Sequence, residues 1–403
     1  MSTAITYVLR AFSTFWPSQK PLAFSGVGSS QQLADLIIAS GQSRPLLLTG
    51  GFLLKNGKLD ELLNHFKVNG CEVTIYDGVT PNPTYKDVEA GLALSKEHNC
   101  DSVIAIGGGS IIDVAKVIAA ASTNNRSLEK LAGILKVKKP PLPFYVAPTT
   151  SGTGSEATNT AVISEPETHK KKFFVDPKYI PLAVALDPEL LKSLPPHMTA
   201  AVGMDTLTHA IEAYTSRNNF TDTDREAATA IKLLFDFLPL AYTDGNNLKA
   251  REMVAQAALL AGHAFTKASL GYVHAISHQV SAHYDTPHGL TNAVILPRVL
   301  RFNQTVCAQR FAQLETMLSG QQSTADTQIL ADKFIARVDQ LAKEIGIPSS
   351  LTELKEKDFD KITSDALKEA RQTYAVPKRM KRSDIKSILQ SIVDGHCDLS
   401  FAQ

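Results

Sequence analysis

Cysteine is scarce in this sequence. Its 403 residues include four cysteines, at positions 71, 100, 307 and 397, and no two of them form a Cys-x-x-Cys pair. This scarcity argues against a disulfide framework and against a thiolate zinc knuckle, and it favours a reducing compartment. We therefore expect a cytoplasmic protein.

The sequence also lacks long apolar runs and any charge imbalance. No run approaches the roughly 18 apolar residues of a membrane-spanning helix, and residues 1–21 have neither the apolar block nor the cleavage site of a secretory signal. Lys and Arg number 41 against 40 Asp and Glu, so there is no electrostatic footprint for nucleic acid or an anionic membrane. We expect small molecules as partners, and neither nucleic acid nor a membrane.

The two halves of the chain differ in their apolar pattern. In the first half, short apolar runs alternate with helical patterns, and we predict strands at Pro45–Thr49, Glu72–Tyr76, Ser102–Ile106 and Phe144–Ala147. Such alternation predicts βαβ units and a mostly parallel, Rossmann-like sheet. After the Pro195-Pro196 pair, segments 224–237, 247–265 and 327–345 have the three- and four-residue apolar spacing of helices. We predict an α/β domain over residues 1–193 and an all-helical domain over residues 194–403.

Two glycine-rich turns follow predicted strands of the α/β domain. One is GGGSIID at 107–113, and the other is PTTSGTGSE at 148–156. Turns of this kind at a helix start present free backbone N–H groups to phosphate, and we expect Ser110 to cap its helix with Asp113 as capping-box partner. Neither turn matches the Rossmann or Walker pattern, and either one alone could be a turn without a ligand. Two in one domain favour a dinucleotide site.

Four residues of the helical half have the spacing of a metal site: Asp205, His209, His274 and His288. Asp205 and His209 are four apart, so a helix places both on one face. Three imidazoles with one carboxylate suit zinc or ferrous iron, and a metal with an open position can hold and polarise an alcohol or carbonyl oxygen. The alternative is that Asp205 caps a helix and the histidines are ordinary surface or core groups.

From about Phe24 to Asn303 the sequence resembles the iron-containing, group III alcohol dehydrogenases. The resemblance is carried by GGGSIIDVAK, PTTSGTGSEAT, GMDTLTHAIEAY and the block GYVHAISHQ…TPHGLTNAVILP. It implies a dinucleotide-binding α/β domain followed by an all-helical metal domain, in agreement with the two apolar patterns.

The resemblance also implies roles for individual residues. The four candidate ligands named above match the family's ligands, and His278 matches a histidine near the nicotinamide. His278 is our candidate for relaying a proton to solvent; the alternative is that it only orients a neighbour. The other matches are cofactor-binding positions and two substrate-pocket positions: Gly108, Gly109, Ser110, Asp113, Thr149, Thr150, Thr153 and Lys172 for the cofactor, and Thr160 and Phe265 for the substrate.

Several positions depart from the family pattern. NAD-preferring members often carry Asp at the end of the first strand of this pattern, where its carboxylate accepts from the ribose 2′-hydroxyl; here that cofactor-binding position is Gly50. Without the carboxylate nothing repels a 2′-phosphate, so we expect NADP to be accepted at least as well as NAD. His263, the Ser281-Ala282 pair and Arg298 also depart from the pattern, and they leave the substrate open.

The sequence therefore predicts an NAD(P)-linked, metal-dependent alcohol dehydrogenase or aldehyde reductase. We expect Fe2+ as the metal, with Zn2+ as the alternative, and a homodimer or higher homo-oligomer. A hydroxyacid–oxoacid transhydrogenase or a polyol dehydrogenase on the same fold stays open. A metal-dependent hydrolase or lyase is a further alternative, but it would not need two glycine-rich turns on a parallel sheet.

Overall fold

A computed structural model of the protein describes residues 19–167, 171–192, 194–321, 324–397 and 399. The chain forms two compact units, one over Gln19–Leu194 and the other from Pro195 onward. Residues 1–18, where a secretory signal would lie, are outside the described residues.

The first unit is built around a parallel sheet. The strands of this unit, in the part that the structure describes, are β1 (Leu22–Ser25), β2 (Pro45–Thr49), β3 (Thr74–Tyr76), β4 (Ser102–Gly107), β5 (Gly133–Ile134), β6 (Phe144–Pro148), β7 (Thr160–Ser164), β8 (Lys171–Val175) and β9 (Ala183–Leu186). The strand order of the sheet is β1-β9-β6-β4-β2-β3, with every neighbouring pair parallel, which confirms the predicted sheet. Every residue of the central strands β2, β4 and β6 is buried, as expected for apolar runs covered on both faces.

The register of the sheet brings both glycine-rich turns to one edge. Thr49 of β2 pairs with Ile106 of β4, and Gly107 of β4 pairs with Pro148 of β6. Because the strands are parallel, the turns that follow them lie side by side. Open α/β sheets bind ligands at this carboxyl edge.

A second sheet of three strands was missed by the sequence analysis. Its order is β5-β8-β7, and β7 pairs antiparallel with β8. Buried and partly exposed residues alternate along β7, but β7 and β8 have five residues each and β5 has two. An alternation this short does not distinguish a strand from a loop.

The helix after β4 begins earlier than predicted. Gly108 is its N-cap residue, and no side chain caps this helix. The predicted capping box of Ser110 and Asp113 is therefore wrong, because both residues already lie within the helix. The helices of the first unit, in its described residues, are α1 (Ser29–Ala39), α2 (Gly51–Lys55), α3 (Asp60–Val68), α4 (Tyr85–Glu97), α5 (Gly109–Asn124), α6 (Leu128–Leu131) and α7 (Pro188–Leu191).

The second unit is helical in its described residues, and its helices share one apolar core that includes Leu207, Ile231, Ile295 and Phe334. The α-helices in its described residues are α8 (Pro196–Thr215), α9 (Thr221–Thr243), α10 (Leu248–Ala268), α11 (Tyr272–Tyr284), α12 (His288–Ser319), α13 (Thr327–Glu344), α14 (Phe359–Thr373) and α15 (Arg382–Asp394). The three segments predicted as helices correspond to α9, α10 and α13. Among the described helices of either unit, none is both long enough and apolar enough to span a bilayer.

Candidate active site

The two glycine-rich turns of the first unit pack against each other. The backbone N–H of Thr149 donates to the carbonyl of Gly107 at 3.0 Å. A Cβ atom at Gly109 would lie 2.8 Å from Thr153 Cγ2, so this position has no room for a side chain. The turns therefore form one cradle at the start of α5, where the first backbone N–H groups have no acceptor within the helix.

The neighbouring positions of the two turns also meet, at Gly108 and Thr150. A Cβ at Gly108 would lie 3.4 Å from Thr150 Cγ2. The Ser110 hydroxyl, by contrast, donates to the carbonyl of Pro81, an exposed residue before α4, at 2.6 Å. Of these three predicted cofactor-binding residues, Gly108 and Thr150 belong to the cradle, whereas the Ser110 side chain is engaged elsewhere.

Asp113 connects the two turns from within. Its carboxylate accepts from Ser155 Oγ at 3.1 Å and from the backbone N–H of Val162 at 2.9 Å. Burial raises the pKa of Asp113, although the nearby Lys116 ammonium opposes the shift. The resemblance implied contact with the cofactor, and the observed bonds give Asp113 the additional task of holding the second turn against α5.

Lys116 secures the segment that leads from the second turn into β7. Its ammonium is buried and donates to the carbonyls of Thr158 at 2.9 Å and Thr160 at 2.8 Å. The Thr160 hydroxyl donates to Asn159 Oδ1 at 3.0 Å. Thr160, a predicted pocket residue, is therefore held in position by both its backbone and its side chain.

The turn after β2 has a carboxylate beside it that the sequence analysis missed. A Cβ at Gly50 would meet only Ile111 Cδ1, at 3.8 Å, so a side chain fits at this position. Asp77 follows β3, and its Oδ2 lies 3.7 Å from the place of a Cβ at Gly51. Only the pairing of β3 with β2 brings these residues together.

Lys172 lies in the smaller sheet, on β8. Its Nζ is 3.5 Å from Glu165 Oε1. Lys172 was predicted to lie near the cofactor ribose. In the structure its ammonium group forms an ion pair with Glu165.

In the second unit, three helices bring the four candidate metal ligands together. Asp205 and His209 lie on α8, His274 lies in the first turn of α11, and His288 is the first residue of α12. Asp205 Oδ1 is 3.9 Å from His209 Nε2, and 3.7 Å from Nε2 of both His274 and His288. The ligand atoms of Asp205, His209 and His274 all lie within 4.8 Å of one another, and these three residues are buried.

Three members of this cluster have shifted protonation equilibria. Burial by itself would raise the pKa of Asp205, but His209, His288 and His274 hold it well below its usual value. Burial lowers the pKa of His288, although its side chain is 36% exposed and the Asp205 carboxylate opposes the shift. Burial also disfavours the charged form of His274, but the Glu212 and Asp205 carboxylates raise its pKa to about 9, so a cation bound there would displace a proton. An ionised carboxylate and a neutral imidazole are the forms that bind metal ions. One oxygen and three nitrogens fit a divalent transition metal.

Glu212 supports the cluster and was missed by the sequence analysis. Its carboxylate lies 2.7 Å from His274 Nδ1 and accepts from the backbone N–H groups of Gly271 at 2.8 Å and Val273 at 2.7 Å. Metal-binding histidines are commonly oriented by a carboxylate that is hydrogen-bonded to the ring nitrogen that does not bind the metal. The signal was available, because Glu212 follows Asp205 and His209 at helical spacing in GMDTLTHAIEAY.

A second carboxylate holds His278. Glu369 Oε1 lies 2.6 Å from His278 Nδ1, and Glu369 also accepts from Tyr374 Oη and Gln279 Nε2, each at 2.7 Å. The His278 ring stacks against the ring of His288 with centroids 5.1 Å apart. The candidate proton relay therefore lies beside the candidate ligands in a fixed orientation.

Phe265 borders the cluster, whereas two other histidines have partners away from it. The Phe265 ring stacks on His209 with centroids 4.4 Å apart. His263 Nδ1 lies 3.7 Å from Glu226 Oε1, and His283 Nε2 lies 3.3 Å from Asp358 Oδ1. Phe265 is thus well placed to form part of a pocket at the cluster.

Arg298 has a structural task in this protein. It is fully buried, and its Nη2 lies within hydrogen-bond distance of three carbonyl oxygens, those of Ser349 at 2.7 Å, Ser391 at 3.0 Å and His396 at 2.8 Å. The side chain fastens the segments after α13 and at the end of α15 to α12. At this departure from the family pattern the side chain therefore has a packing role.

Comparisons with known proteins cover both units. Residues 21–188 match the family model described as iron-containing alcohol dehydrogenase, and residues 199–393 match the C-terminal model of the same family. The chain is 39% identical to a 1,3-propanediol dehydrogenase of Klebsiella pneumoniae over 92% of this chain and 95% of that protein. It is 34% identical to an NAD-dependent methanol dehydrogenase of Bacillus methanolicus over 92% and 98% of the two chains. A solved 1,3-propanediol oxidoreductase superimposes with a TM-score of 0.90 at 37% identity, over 94% of this chain and 100% of the other.

Proposed function

The chain belongs to the iron-containing alcohol dehydrogenase family, and we propose that it transfers a hydride between a nicotinamide dinucleotide and a small alcohol or aldehyde. As a member it is a metal-dependent oxidoreductase that acts on alcohols. The observation that carries the proposal is the buried cluster of Asp205, His209 and His274, in a chain that also has the paired glycine-rich turns.

The ligands of the proposed cation are Asp205, His209, His274 and His288. We propose Fe2+, and Zn2+ is the alternative because it takes the same ligand types. When bound, such a cation polarises the oxygen of an alcohol or carbonyl group, while the nicotinamide carries the hydride. The protein holds the ligand atoms together and fixes the His274 ring through Glu212.

The proton that accompanies hydride transfer is assigned to His278. The bond between its Nδ1 and Glu369 orients the ring and leaves Nε2 to accept or release a proton. Its side chain is 28% exposed, which gives it access to water.

For the cofactor, we propose NAD(P) in the cradle of the two glycine-rich turns, with NAD preferred. The earlier expectation of NADP depended on the missing carboxylate at Gly50. Asp77 supplies a carboxylate beside the adjacent Gly51, where it would repel a 2′-phosphate and accept from a ribose hydroxyl. The similar methanol dehydrogenase is named as NAD-dependent, so this relative gives no support to an NADP preference.

The proposed substrate is a short alcohol or diol, or the corresponding aldehyde. Two similar proteins are named for methanol and 1,3-propanediol. In this chain the Phe265 ring occupies space beside His209 and would limit substrate length. Thr160 is proposed to bond a substrate hydroxyl.

We also propose a cytoplasmic enzyme that forms a homodimer or a higher homo-oligomer. The cytoplasmic location is supported by the four free cysteines, which suit a reducing compartment. The oligomer depends on the family resemblance alone.

The activity is tested by following the absorbance of reduced nicotinamide with a panel of short aldehydes. Turnover should stop after treatment with a chelator and return when Fe2+ or Zn2+ is added. Turnover that is unaffected by complete removal of metal would contradict the proposal.

The ligand assignment is tested by elemental analysis of His274→Ala and His288→Ala. Both variants should lose bound metal and turnover and keep the fold of the α/β unit, because each removes one ligand. His283→Ala is the matched control, since His283 lies on the same helix as His274 but pairs with Asp358. Stoichiometric metal in His288→Ala would remove His288 from the ligand set.

A further inference from the structure

A buried amide lies among the candidate metal ligands. Asn292 is on α12, one turn after His288, and is 0% exposed. Its Nδ2 lies 2.7 Å from Asp205 Oδ1, 3.1 Å from His288 Nε2 and 3.2 Å from His274 Nε2. One side-chain atom thus reaches three of the four candidate ligand atoms.

The amide nitrogen of Asn292 has more neighbours within hydrogen-bond distance than it has hydrogens, and the amide oxygen has no partner among the described residues. An amide nitrogen has two hydrogens, whereas Nδ2 lies within hydrogen-bond distance of one carboxylate oxygen and two imidazole nitrogens. Asn292 Oδ1 is buried and has no hydrogen-bond partner among the described residues. A cation bound by the histidines would take the Nε2 lone pairs of His274 and His288. The acceptor that remains for Nδ2 is then the Asp205 carboxylate, which already makes the shortest contact.

We propose that Asn292 is a positioning residue of the metal site, and that it fixes the Asp205 carboxylate in its metal-binding orientation. This inference rests on the proposed function, because it requires a metal at the cluster. An Asp side chain can rotate about its terminal bond, and a donor 2.7 Å from Oδ1 restricts that rotation. Partners that orient ligands in this way typically contribute about 10- to 100-fold to metal affinity.

The experiment measures the Zn2+ affinity of purified protein by competition with a chromogenic chelator. Asn292→Ala should weaken Zn2+ binding about 10- to 100-fold. Asn292→Leu should weaken it similarly, because leucine restores much of the lost volume without a donor. Unfolding in urea with the metal removed is measured in parallel, so that loss of packing is separated from loss of affinity.

Asn303→Ala is the matched control. Asn303 lies on the same helix, is also buried at 6% exposure, and is eleven residues beyond Asn292. Removing its amide should cost stability and leave the Zn2+ affinity within about threefold of the wild-type value. If the role of Asn292 is purely structural, both Asn292 variants will behave like Asn303→Ala: they will lose stability and keep the Zn2+ affinity of the wild-type protein.

The outcomes separate this inference from the proposed function. If the wild-type protein fails to bind Zn2+ or Fe2+, the metal site itself is wrong. If the wild-type protein binds metal and either folded Asn292 variant binds it equally well, the positioning role of Asn292 is wrong while the metal site stands.

Discussion

Replacing Glu212 with Gln should weaken metal binding and lower stability at the same time. The carboxylate lies against His274 Nδ1 and two backbone N–H groups at the start of α11, with three contacts of 2.7–2.8 Å. A glutamine of the same shape has one acceptor oxygen, and its NH2 group would face a donor. At least one of the three donors would then lose its partner in a buried environment.

The magnitude follows from those contacts. Hydrogen bonds to a charged group contribute about 1.5–3 kcal/mol, and a buried donor left unpaired costs about 1–3 kcal/mol. We expect Glu212→Gln to lower the free energy of unfolding of the metal-free protein by about 2–4 kcal/mol. Release of the His274 ring should reduce metal affinity about 10- to 100-fold.

The assay combines urea unfolding of the metal-free protein with chelator competition for Zn2+. Glu315→Gln is the control, because Glu315 is also buried but accepts from Arg337 at 2.6 and 2.9 Å. It should lose stability and keep its metal affinity. A Glu212→Gln protein that binds Zn2+ within threefold of wild type would refute the reasoning, because His274 would then need no carboxylate to orient it.

Three further predictions concern substrate, cofactor and stability. Removal of the ring that stacks on His209 in Phe265→Ala should raise kcat/KM for hexanol relative to ethanol by about tenfold or more, and an unchanged ratio would mean that Phe265 only packs. In Asp77→Asn, the ratio of kcat/KM with NADH to kcat/KM with NADPH should fall by about tenfold, because one charge-assisted contact to the ribose is lost. In Gly50→Asp the same ratio should rise. No shift in either variant would mean that the turn after β2 does not contact the ribose. Arg298→Met should destabilise the protein by about 3–5 kcal/mol in urea unfolding, because at least two hydrogen bonds to a charged group, of about 1.5–3 kcal/mol each, are lost. The bound metal should not change. A neutral effect on stability would show that the cost of burying the guanidinium offsets the stabilisation by its hydrogen bonds.

Much of the fold could be predicted from local pattern. The run Pro45–Thr49 is a strand with those bounds, because an apolar stretch covered on both faces is recognisable from composition alone. The pair Asp205 and His209 is equally local, since both lie on one face of a single helix. The start of α5 was mispredicted because Ser110 was taken as the cap, whereas the helix begins at Gly109, where Thr153 of the second turn leaves no room for a side chain.

Other parts of the site depend on contacts that no local spacing encodes. Asp77 comes near Gly51 only because β3 pairs with β2. Arg298 was one of the departures from the family pattern that left the substrate open, and only the structure shows that it packs against Ser391 and His396. The pairing of β7 with β8 could not be predicted either, because the two strands are too short for an alternating pattern to be recognised.

The sequence by itself determined which residues have metal-binding chemistry, which turns can approach a phosphate, and where a parallel sheet changes to helices. Only the tertiary structure decided which carboxylates and amides support those groups. Glu369 meets His278 across 91 residues, and Asn292 meets Asp205 across 87. Glutamate and asparagine are common surface residues, and their types carry no signal of a special role. What distinguishes these two is that packed helices bring them, buried or partly buried, within hydrogen-bond distance of a histidine or an aspartate.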